Sequence, residues 1–101
     1  MNMKMFGLIA GAAMLAGALP AAAYNGQALE KRAKIKIAQA REIALKAHPG
    51  VIADEELEKE KGGSGLRYSF DIKMATGVQE VGVDALTGKV LENALEGPNP
   101  D

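Results

Sequence analysis

The side chains able to do covalent chemistry are few: the 101-residue sequence holds one histidine, His48, two serines, Ser64 and Ser69, and no cysteine. A nucleophile needs a base beside it and a third group to orient that base. Ser64 stands among glycines, in a turn expected to be too loose to hold it, and a Ser69–His48 pair would have to join a strand to a helix end. His48 suits a plainer role at that helix end, where the dipole favours its protonated form. No catalytic residue is assigned, and the sequence does not read as that of an enzyme. The acidic run Asp54-Glu55-Glu56-Leu57-Glu58-Lys59-Glu60 raises the binding of a hard cation. On a strand, however, alternate carboxylates point to opposite faces, no glycine-kinked loop gathers them, and Lys59 and Lys61 neutralise part of the field. A solvated edge strand is therefore preferred to a metal site. Gly62-Gly63-Ser64-Gly65 lacks the Lys-Ser/Thr pair and the following helix of a phosphate loop, and reads as a hairpin turn. Neither metal nor cofactor is assigned.

Few elements are available to position these residues. Ile37, Ala40, Ala44 and Ala47 recur at helical spacing with Ile43 beside them, while Lys36, Gln39, Arg41, Glu42 and Lys46 fill the other side, which specifies an amphipathic helix. Small alanines on its apolar stripe let it lie close to a sheet. His48-Pro49-Gly50 ends it, and its start falls either near Asn25, with that side chain as cap, or near Lys36 after a loose lead-in. Leu66, Tyr68, Phe70, Ile72 and Met74 then alternate with Arg67, Ser69, Asp71 and Lys73, the period of a strand with one wet face. Residues 51–61 supply a strand before it, with Leu57 turned inward, and residues 78–84 and 89–93 supply two after it, joined at Thr87-Gly88. The expected class is α+β: one N-terminal amphipathic helix packed on a three- to four-stranded antiparallel meander, after a cleaved signal peptide. The helix covers Tyr68, Phe70, Ile72, Val81 and Val83. Glu58, Glu60, Arg67, Ser69, Asp71 and Lys73 face solvent or a partner.

Export is read from the start of the chain. Lys4 precedes an unbroken run of apolar and small residues, 6–19, which has the length of a signal-peptide core and falls short of the about 20 residues of a membrane span. Pro20 follows, and Ala21 and Ala23 offer the small side chains that a signal peptidase accommodates. A cut after Ala23 makes Tyr24 the first mature residue and leaves 78 residues, with no membrane span, no cysteine for a lipid anchor and no disulfide. The expected organisation is residues 1–23 as signal peptide, 24–34 as lead-in or helix extension, 35–93 as the domain and 94–101 as a disordered tail. A domain this small holds one core and no enclosed substrate cavity. Its charge is uneven: residues 24–50 carry six Lys/Arg against two acids, residues 51–101 five against eleven. The basic part has no interleaved aromatics, which argues against nucleic acid.

In the order of its segments the chain resembles a PepSY domain. The matching pieces are Ile35-Lys36-Ile37-Ala38-Gln39-Ala40, Ile43-Ala44-Leu45, Pro49-Gly50, Glu56-Leu57-Glu58, Tyr68-Ser69-Phe70-Asp71-Ile72 and, most specific, Val81-Gly82-Val83-Asp84-Ala85-Leu86-Thr87-Gly88-Lys89-Val90. Lys36 departs from the family, which usually has a helix-capping serine or threonine there. The resemblance implies a helix on an antiparallel sheet, an extracytoplasmic setting (periplasmic or secreted) and a non-catalytic binding or inhibitory module related to protease propeptides. Asp84, Gly88 and Lys89 are explained as turn residues: Asp84 accepting from backbone amides, Gly88 at positive φ, Lys89 restarting the strand. The expected partner is a protein or extended peptide, with a peptidase as candidate, bound by the polar sheet face and edge strand. Glu58, Arg67, Ser69 and Lys73 are the residues to test. The alternative is an envelope sensor that holds a metal ion or small metabolite on the acidic first strand.

Overall fold

The computed structural model describes residues 23–96. Residues 1–22 of the expected signal segment, Ala21 among them, and the end of the tail lie outside them. A 3-10 turn, Gln27–Arg32, leads into the helix α1, Ile37–Ala47, and four strands follow: β1 (Val51–Lys59), β2 (Leu66–Met74), β3 (Gly77–Asp84) and β4 (Val90–Leu95). The strands form one antiparallel sheet in the order β1-β2-β3-β4. The α+β class and the meander are as the sequence specifies, and β4 runs two residues further than expected.

Of the two helix starts, the later one is realised. Lys36 is extended (φ −83°, ψ 161°) and makes no side-chain cap. The chain before it is fixed instead from the sheet: the Tyr68 hydroxyl donates to the Ile35 carbonyl at 2.9 Å, and the Lys34 and Ile35 amides donate to the Ala85 carbonyl at 2.9 and 3.1 Å. Tertiary hydrogen bonds thus fix the entry to a helix that has no side-chain cap. The lead-in is ordered too. Asn25 bridges Glu56 in parallel, and its carbonyl accepts from the Leu57 amide at 2.9 Å, which covers part of the free edge of β1. Gly26 permits this contact with φ 87°; a side chain there would run into the Leu57 carbonyl.

The core lies between α1 and the inner sheet face. Tyr68, Phe70, Ile72, Val81 and Val83 are fully buried, as are Ala40 and Ala44 of the helix stripe, with Leu57 and Ile37 nearly so. Ala47 is only partly buried at its rim. The helix is tied to β1 by a two-pronged ion pair, with Arg41 Nε and Nη2 each 2.8 Å from a Glu55 carboxylate oxygen.

One irregularity decides what the other face carries. Ile52 pairs with Ile72, but Asp54 pairs with Asp71, so Ala53 is an extra residue in β1. Since strand side chains alternate, this bulge shifts the phase: Ile52 before it and Leu57 after it both face the core. Asp54, Glu56 and Glu58 consequently share the outer face with Arg67, Ser69 and Asp71.

Candidate functional site

The residues that the sequence offers for nucleophilic chemistry are not brought together. His48 ends α1, on the helix side of the sheet. Its backbone N–H, rather than its ring, closes on the Ala44 carbonyl at 2.9 Å, and ring Nδ1 lies 3.1 Å from the Pro49 oxygen. His48 is thus the C-terminal cap residue of α1, as expected from sequence, and caps through its backbone. Ser69 lies on the outer face, where its hydroxyl donates to Glu58 at 2.9 Å. Ser64 is held firmly, contrary to the expectation of a loose turn. Its hydroxyl donates to Asp84 Oδ1 at 2.8 Å and its amide to Oδ2 at 2.6 Å.

Asp84 is the centre of that arrangement and is 1% exposed. It also accepts from the Leu86 and Thr87 amides at 2.8 and 3.1 Å, the turn role expected of it. Burial pushes its pKa up, but the bonds from Ser64, Leu86 and Thr87 outweigh burial and bring it down to about 2. The glycine-rich loop turns the Ser64 amide and hydroxyl onto Asp84, so the anion these two donors hold is built into the protein.

The four residues singled out as a partner surface fall on one face in unequal circumstances. Glu58 stands opposite Arg67 across β1 and β2. The Arg67 side chain is only 12% exposed, reaches Glu92 at 3.5 Å and donates to the Lys61 carbonyl at 2.9 Å. Ser69, at 9% exposure, is sheltered rather than open. Lys73 is exposed at the far end, opposite Val51 and Val78.

Between these residues runs a groove of about 210 Å³, lined by Asp54, Glu56, Glu58, Glu60, Ser69, Asp71, Glu80 and Glu96. Seven of its eight lining residues are acidic and none is basic. Asp71 lies directly opposite both Asp54 on β1 and Glu80 on β3, and the Glu96 amide donates to the Val78 carbonyl at 2.8 Å, which brings Glu96 alongside. Carboxylate oxygens of Asp71, Glu80 and Glu96 lie within 4.8 Å of one another. Burial, then Glu92, Asp71 and Glu96, lift Glu80 to about 7. Burial, then Glu96, lift Asp71 to about 6, and Glu56 is raised by burial and by Asp54 and Glu58. Such a donor set has the chemistry of a hard-cation ligand, but partly exposed carboxylates also gather without one, and no metal is assigned to it. Glu80 and Glu96 were missed in the sequence because their approach depends on register across two turns. The signal available was the polar face of β2, which already contained Asp71.

Residues 34–93 match the family model described as PepSY, peptidase propeptide and YPEB domain. No curated protein and no solved structure matches the chain. The match takes in α1, β1 to β3, the glycine-rich loop, Asp84 with its turn and the first part of β4. Spanning more than half of the sequence, it shows that the chain belongs to the PepSY family, whose members are peptidase-propeptide-like modules.

Proposed function

We propose that the protein works outside the cytoplasm as a non-catalytic module that binds a positively charged stretch of another protein, a peptidase first among candidates, along the outer face of its sheet. The observation that carries this reading is the groove on that face, with seven carboxylates and no Lys or Arg in its lining. A concentrated negative surface attracts and orients a basic segment. Family membership supports the peptidase connection. The signal-like start of the sequence supports the setting, and among the described residues no helix is long and apolar enough to cross a membrane. Strand addition is the second route to the same partner. It uses β4, because Asn25 already occupies part of the β1 edge.

The test is binding of purified protein to a lysine-rich peptide and to a neutral peptide of equal length, at low and at physiological salt, alongside assays of envelope peptidases. Saturable binding of the basic peptide alone, weakened by salt and by Glu56→Gln with Glu58→Gln, is expected. Equal affinity for both peptides, or unchanged affinity in the double variant, contradicts the reading. A large rise in thermal stability with micromolar calcium would move the assignment to the cation-sensing alternative.

A further inference from the structure

We propose that Asp71, Glu80 and Glu96 form a proton-sharing latch that fastens the end of β4 to the sheet in mildly acidic surroundings and loosens it as they turn neutral. The latch lies in the groove described above. It regulates that surface if the binding reading holds, but exists without a partner.

The geometry is that of like charges forced together. Across β2 and β3, Asp71 is directly opposite Glu80, and across β1 and β2 it is directly opposite Asp54. Like charges in directly opposed positions weaken a sheet, and one shared proton turns repulsion between two carboxylates into a hydrogen bond. The surrounding charges give no relief. From β1 the cluster meets Asp54 and Glu56, and from β4 it meets Glu92. On β2, Arg67 is engaged with Glu92 and the Lys61 carbonyl. Exposed Lys73 enters no ion pair among the described residues. The helix packs on the opposite face.

The end of β4 is also the part of the sheet least secured by burial. Asn93, Ala94 and Leu95 are exposed, Leu95 to 59%, so apolar contact adds little, and the strand end rests on its backbone pairing with β3 and on the carboxyl groups beside it. The values near 6 for Asp71 and 7 for Glu80 agree with protons retained in the folded protein well above the usual carboxylate range. Groups raised on folding favour the docked state below their ordinary range, and that contribution is lost as pH rises through 6 to 7.

The test is amide hydrogen exchange at Ala94, Leu95 and Glu96, corrected for intrinsic rates, at pH 5 and pH 8, in the wild type, Glu80→Gln and Glu96→Gln. Denaturation of the same samples establishes that each variant is folded. Protection in the wild type is expected to fall by about tenfold or more from the acidic to the alkaline condition, and by less than about twofold in Glu80→Gln. Equal protection at both pH values in the wild type, or the same fall in both variants, overturns the latch. Exchange that behaves as expected in a protein binding no basic peptide upholds the latch and removes the binding reading. Flat exchange in a protein that does bind such a peptide does the reverse.

Discussion

Asp84 shows how one buried charge can organise a small protein. Four donors converge on its carboxylate, two of them from Ser64, twenty residues earlier in sequence. Asparagine cannot accept all of them and places an amide among donors, so Asp84→Asn is expected to cost about 2–4 kcal/mol, read from chemical denaturation. The Asp84 pKa, brought to about 2, means stability present above the ordinary carboxylate range and lost as pH falls towards 2. Glu80 and Asp71 act in the opposite sense, their contribution being lost as pH rises through 6 to 7. A pH series of denaturation midpoints should therefore peak on the acidic side of neutrality, near pH 4 to 5, and Glu80→Gln should flatten its alkaline limb.

Among the elements, the helix owes its position to small side chains and to contacts made before its first turn. Ala44 is fully buried, so Ala44→Leu is expected to push the helix off the sheet at a cost of about 1–3 kcal/mol, measured by denaturation. Gly26→Ala places a side chain against the Leu57 carbonyl at φ 87° and should detach the lead-in. Limited proteolysis would show this as faster cleavage between Gly26 and Arg32, with the sheet core still protected. Alternation made β2 and its buried set legible in the sequence, and His48-Pro49-Gly50 marked the helix end, because these signals are local. Its start was legible only as a choice between Asn25 and Lys36, since Lys36 has no cap and the bonds that fix Ile35 come from Tyr68 and Ala85. Nor was the bulge at Ala53 legible, because a bulge is a property of two strands in register and no single strand announces it.

Across the whole molecule, charge follows the layers of the fold. The basic half of the sequence is the lead-in and helix, the acidic half is the sheet, and the bulge directs Asp54, Glu56 and Glu58 away from the helix. The asymmetry was legible as composition, but its concentration into one groove was not. That required four strands in register and the docking of Glu96, which lies past the last strand residue expected from sequence. The partner surface drawn from sequence was centred on Glu58, Arg67, Ser69 and Lys73. The structure moves the weight of that proposal towards the carboxylates, since Arg67 and Ser69 are largely sheltered and already hydrogen-bonded. The most direct test is the mapping of backbone amide shifts while a lysine-rich peptide is titrated into the protein. Shifts concentrated on Glu56, Glu58, Asp71 and Glu80 are predicted. Shifts concentrated on Gln39, Glu42 and Lys46 of the helix, or none at any peptide concentration, would contradict the outer sheet face as the binding surface.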